Sequence, residues 1–117
     1  RLFTEMNEAV NAFVKDLKAN GRFNDIMLFT FSEFGRRVAQ NASGGTDHGT
    51  ANNMFLVSGG LKQKGLINEL PDLADLDEGD LKYKVDFKNV YATVLSKWLK
   101  ADDKAILGKK YDYLNFI

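Results

Sequence analysis

The feature that most constrains the fold is an uninterrupted apolar run, Ile26-Met27-Leu28-Phe29-Thr30-Phe31, set between turn residues. It is too short for a helix, and a strand buried on both faces is the ordinary home of such a run. A second run, Met54-Phe55-Leu56-Val57-Ser58, ends in Gly59-Gly60 and reads the same way. Because neither run alternates apolar with polar residues, the pair predicts a sheet covered by helices.

The helices have their own period. From Thr4 to about Asn20 the residues Met6, Ala9, Val10, Phe13, Val14 and Leu17 recur at three- and four-residue spacing, with Thr4 or Asn7 to cap the start and Gly21 to end it. A second amphipathic helix is predicted after Asp86, a carboxylate at its N-cap, with Phe87, Val90, Tyr91, Val94, Leu95, Trp98 and Leu99 as a wide apolar face assigned to the core. Ala101 to Leu107 predicts a short helix ending at Gly108, and the tail Tyr111 to Ile117 is apolar enough to pack on something. Gly35 to Asn53 is polar, carries three glycines and shows neither period, so a loop of functional length is expected there. Surface excursions are expected from Leu61 to Val85, with a short strand near Tyr83 and the acidic residues Asp72, Asp75, Asp77, Glu78 and Asp80 as a solvated face.

Composition narrows the functions. The 117 residues, 44% apolar and 27% charged, suit one α/β domain, and such a length can bury roughly two-thirds of the unfolded surface. Sixteen basic residues balance sixteen acidic ones and no basic stripe interleaves with aromatics, which argues against a nucleic-acid partner. The absence of cysteine removes disulfides, thiolate ligands and a thiol nucleophile. No apolar run approaches the ~20 residues of a membrane span, and the first residues have neither an initiator Met nor signal-peptide regions, as expected of a piece of something longer.

Two stretches could carry chemistry. In Ser32-Glu33-Phe34-Gly35-Arg36-Arg37 a predicted strand ends in a carboxylate, and ligands of open α/β sheets gather at such ends. The alternative is that Ser32 starts a turn and Glu33 pairs with Arg36 or Arg37. In Gly44-Gly45-Thr46-Asp47-His48-Gly49-Thr50 stands the only histidine, a residue type suited to metal ligation or general-base work, beside an aspartate that could ligate or orient the ring. Asp and Gly also build ordinary turns, so this stretch too has a plain structural alternative.

The order of these parts carries a resemblance. The helix running to Leu17-Lys18-Ala19-Asn20-Gly21, then Asn24-Asp25 and the strand ending Ser32-Glu33-Phe34-Gly35, resembles the sulfatase stretch that ends Ser-Asp-His-Gly or Ser-Asp-Asn-Gly. His48 before the run Met54 to Val57 resembles the later ligand histidine of the alkaline phosphatase and sulfatase superfamily, and Asp86 to Leu95 stands where that family has Asp-Ile-x-Pro-Thr-Leu. Within it, Phe31 to Arg37, Gly44 to Asn52, Asp75 to Lys82 and Val85-Asp86-Phe87 resemble a bacterial group, domain of unknown function 1501.

The resemblance implies that residues 1–117 are the C-terminal portion of a larger sulfatase-like α/β domain, a partial sandwich whose nucleophile lies outside this chain. It implies Glu33 and His48 as ligands of a divalent metal such as zinc, manganese or calcium, with Asp47 as ligand or orienter. Ser32 would support them and Arg36 or Arg37 would clamp an anionic substrate. The parent would then be a metal-dependent phosphate or sulfate ester hydrolase, exported to the periplasm or beyond. Phe34 departs from the pattern, since phosphatase-type members often have a ligand histidine there, and a non-catalytic module is the alternative. The implied partners are an anionic small-molecule ester and a second copy of the chain, met through apolar surface left exposed.

Overall fold

The computed structural model describes residues 1–117, which divide into two compact units. The first comprises residues 1–30 and 55–61; the second comprises residues 31–54 and 62–117.

In the first unit, α1 (Leu2–Ala19) begins without a side-chain cap, so neither Thr4 nor Asn7 serves as the predicted N-cap. Its end follows the sequence closely. Gly21 takes φ 67°, its N–H donates to the Lys18 carbonyl and the Arg22 N–H to that of Leu17, the paired bonds that satisfy the last carbonyls of a helix. No residue of α1 is buried, and Leu2, Phe3, Met6 and Phe13 of its apolar face are exposed.

Both predicted strands exist but are cut to two residues, β1 (Leu28–Phe29) and β4 (Leu56–Val57), paired antiparallel with Leu28 opposite Val57. The pairing is extended by the Thr30 amide donating to the Phe55 carbonyl and the Phe55 amide donating to Thr30 Oγ1. The side chains are half-buried, so the expected sheet covered on both faces is corrected to a short ribbon.

The second unit corrects the expected long loop. Gly35 to Asn53 contains an antiparallel hairpin of β2 (Gly35–Gln40) and β3 (Thr46–Gly49), in which Gly35 faces Gly49, Arg36 faces His48 and a bulge separates that register from Gln40 facing Thr46. A second hairpin joins β5 (Leu76–Asp77) to β6 (Asp80–Leu81). Its loop is Glu78-Gly79 with φ of 48° and 91°, the two positive values that a two-residue turn needs to match strand twist. The strand expected near Tyr83 thus ends at Leu81. The fold is mixed α/β, with small antiparallel sheets and three α-helices.

The second helix begins as predicted. Asp86 caps α2 (Phe87–Thr93) by accepting from the Lys88 amide. It does not run to Leu99 as an α-helix: Val94–Trp98 forms a π-helical turn, marked by the Leu99 amide reaching back to the Val94 carbonyl. Asp102 caps α3 (Asp103–Leu107), and Gly108 at φ 79° ends it. The core assignment is corrected: Phe87 and Leu99 are exposed and Tyr91 and Trp98 only half-buried, and for Leu99 the widened turn re-aims the face. The buried apolar side chains are Val90, Ala92, Val94 and Phe116, joined by the polar Thr93 and Asp103. This core is much thinner than 117 residues can build.

Candidate functional site

The candidate residues of both stretches meet on the first hairpin of the second unit. Gly35 makes the pairing possible. A Cβ placed on it would lie 1.5 Å from the Ala51 carbonyl oxygen, so only glycine lets that backbone pass. The preceding turn is set by Ser32, whose Oγ donates to the Phe34 carbonyl at 2.8 Å.

Around this turn Phe34 and His48 stack almost parallel, with ring centroids 3.7 Å apart and an 18° tilt. The Arg36 guanidinium lies 5.5 Å from the Phe34 ring, and its Nη1 donates to the Thr46 carbonyl at 2.8 Å. His48 is therefore held by ring contact and by its strand position opposite Arg36, while no hydrogen bond or ion pair engages its ring nitrogens. Glu33, the chain neighbour of Phe34, is exposed and forms no ion pair with either arginine. Sequence spacing had offered such a pair as the alternative reading.

Asp47 goes elsewhere. Asp47 and His48 are neighbours on β3 and both border one hollow, but their side chains have different partners. Asp47 accepts from Asn41 Nδ2 at 3.0 Å. Asn41 organises the whole hairpin loop: its Oδ1 accepts from the Ser43 and Gly45 amides, its N–H donates to the Gly45 carbonyl and its carbonyl accepts from Gly44. Sequence reasoning missed Asn41, although the run Asn41-Ala42-Ser43-Gly44-Gly45 is a turn signal in which the Asn side chain bonds the backbone two residues on. Arg36, Arg37, Asn41, Thr46, Asp47 and His48 line an open hollow of about 470 Å³.

Arg37 points to the other hairpin, where Nε and Nη2 reach the two carboxylate oxygens of Asp80 at 3.2 and 3.4 Å. Asp80, read as solvated acid, is in fact the half-buried partner that joins β2 to β6. Nearby, Asp75 pairs with Lys82, and Glu69 with Lys84. The Lys84 ammonium, by hydrogen bond and then by charge, holds the Glu69 carboxyl below its usual range. The Asp75 hydrogen bond likewise raises Lys82.

The expected partners are corrected on this geometry. Both arginines assigned to clamp an anionic ester are engaged within the chain, Arg36 with a backbone carbonyl and Arg37 with Asp80. The exposed large apolar side chains are scattered along the chain, on α1, at Phe31, Val38 and Phe55 beside or within the strands, in the 61–85 excursion and on the C-terminal helices, so they single out no surface for a second copy. No helix is long and apolar enough to cross a membrane. Nowhere do three or more His, Asp or Glu side chains converge as a ready metal cage.

A mixed α/β chain of short antiparallel hairpins, with an unpaired His and Glu about a stacked Phe, is the class that fold and site define. The chain belongs to the family described as "Protein of unknown function (DUF1501)", which it matches over residues 1–110. No curated protein and no solved structure matches it.

Proposed function

We propose that this chain is the C-terminal portion of a larger domain of the alkaline phosphatase and sulfatase kind, and that its hairpin lends Glu33 and His48 to a divalent-metal centre completed by residues outside the chain. The parent is then an exported, metal-dependent hydrolase, with its nucleophile outside these 117 residues. The observation that carries this reading is the state of the two side chains. Both are exposed and free of hydrogen bonds and ion pairs, and Phe34, next to Glu33, stacks directly on the His48 ring. A neutral imidazole and a carboxylate suit zinc or manganese, with calcium favoured only if oxygen donors dominate the remaining ligands. The thin core accords with a partial sandwich that finds its other layers in the parent.

In that centre the ring stack fixes the His48 plane, and the engaged Arg36 keeps a positive charge beside it without covering it. Asp47, bound to Asn41, supports the loop and is not assigned a ligand role. The test is metal content of the full-length parent, read by elemental analysis after equilibration with zinc or manganese. Glu33→Ala and His48→Ala each are expected to lower occupancy at least tenfold. Unchanged occupancy in both variants removes the proposal.

One observation favours a second reading, a binding module that kept the fold and lost the chemistry. Phe34 fills the position next to Glu33 where phosphatase-type sequences often place a ligand histidine, and its ring covers one face of His48. Parent protein that takes up no divalent metal would support that reading.

A further inference from the structure

We propose that residues 109–117 form a clasp that lifts from the second unit as one piece while α2 and α3 stay folded. The segment has no helix or strand of its own, and it departs from α3 at Gly108, whose positive φ of 79° lies in open space. Its fastenings to the rest of the unit are few. Phe116 is fully buried, and its carbonyl accepts from the Lys62 amide at 2.9 Å. The Leu114 amide donates to Thr93 Oγ1 at 2.9 Å. The Tyr113 hydroxyl donates to Asp103 Oδ1 at 2.8 Å, and Lys110 Nζ contacts both Tyr113 and the other Asp103 oxygen.

The helices, by contrast, keep their own bonds and caps when these fastenings open. Thr93 donates to the Asn89 carbonyl at 2.6 Å whether or not Leu114 is bound, and Asp102 caps α3 independently. Asp103 is 5% exposed in the closed state, and lifting the clasp returns its charge to water, so no buried ion is left unpaired. Lysines from both sides hold the two tyrosines of the clasp: Lys88 and Lys109 stand over Tyr111, and Lys97 and Lys110 over Tyr113. A segment with one fully buried aromatic, one backbone–backbone hydrogen bond to the rest of the unit, a few side-chain bonds and a glycine hinge belongs to the low-stability end of a structure, where local opening precedes global unfolding. The sockets Thr93 and Asp103 lie within the family match, whereas Tyr113 and Phe116 lie beyond it.

Native-state hydrogen exchange on the full-length parent protein tests this, with the Leu114 and Lys62 amides as reporters because each is bonded across the clasp. After correction for intrinsic rates, both are expected to exchange with one common opening constant, at least tenfold larger than that of the α2 amides. Tyr113→Phe removes a fastening without opening the core and is expected to raise both reporters by the same factor, threefold or more. Protection of the reporters equal to that of α2 overturns the proposal. So does acceleration of one reporter without the other, or of neither.

Discussion

The β2–β3 hairpin and the α2–α3 region with its C-terminal segment belong to one unit, yet they are held by opposite means. The hairpin keeps one buried strand residue, Gly35, and relies on local bonds: Asn41 for its loop, Arg36 to Thr46, Phe34 on His48. The C-terminal region holds every buried apolar side chain of the molecule. Side chains able to do chemistry thus stand where packing is light, and the packed region carries little chemistry beyond Asp103. Stability and function should therefore respond to different mutations.

The largest expected effect lies in the packed region. Phe116→Ala removes the one large apolar side chain with no exposure, and is expected to leave the 109–117 clasp open at a cost of at most about 3 kcal/mol in denaturant unfolding, because α2 and α3 stay folded without it. A loss under about 1 kcal/mol would show that burial of Phe116 does not hold the clasp closed. The hairpin's nearest equal is Gly35→Ala, where the new methyl meets the Ala51 carbonyl. A cost of about 1–3 kcal/mol is expected, which makes this hairpin glycine comparable to the core.

Next comes Thr93→Val, which keeps the shape and removes the hydroxyl that both donates to Asn89 and accepts from Leu114. The Leu114 amide would lose its partner, for an expected loss of about 1–2 kcal/mol by chemical denaturation. An unchanged midpoint would mean that the tail is held by Phe116 alone.

What the sequence made legible divides along the same line. Helix ends were readable because they depend on single residues with local mechanisms: Gly21, Asp86 and Gly108 each stand at a boundary. The β2–β3 hairpin was hidden because Arg36, Arg37 and Gln40 carry no apolar alternation, and its pairing rests on the close backbone approach at Gly35, which no periodicity reports. The π-helical turn was hidden for a related reason. One extra residue in the turn shifts the later face, so Leu99 reads as core by spacing and stands 60% exposed. Of the candidate site, the Ser32 turn was legible; the different partners of Asp47 and His48, Asn41 and Phe34, required knowing how β2 and β3 pair.

A pH titration sharpens the contrast further. The Tyr113 hydroxyl, with Lys110, holds the Asp103 carboxyl below its ordinary value against the opposing effect of burial, and Tyr113 likewise raises Lys110. A depressed carboxyl adds stability that is present above its unfolded pKa of about 3.9 and lost as pH falls through the lower folded value. A raised ammonium adds stability that is present below its unfolded pKa of about 10.4 and lost as pH rises through the higher folded value. The fastening is thus intact across the neutral range and weakens at both extremes. Asp103→Asn is expected to flatten the acid limb of the stability profile, and an unaltered limb would place acid sensitivity elsewhere.

The smallest effect on folding is the most informative about function. His48→Ala and Glu33→Ala touch exposed side chains without hydrogen bonds, and each is expected to shift stability by no more than about 0.5 kcal/mol. His48→Ala also removes the Phe34 stack, which at an exposed site belongs near the bottom of the about 0.5–1.5 kcal/mol range of aromatic pairs. If thermal unfolding of either variant shows a loss comparable to Thr93→Val, the residue is structural. Any fall in metal occupancy of the parent would then reflect a damaged hairpin rather than a lost ligand. Near-neutral stability with a tenfold fall in occupancy would place both residues in the metal site, because a side chain that does nothing for the fold can lower binding only by leaving the site it supplied.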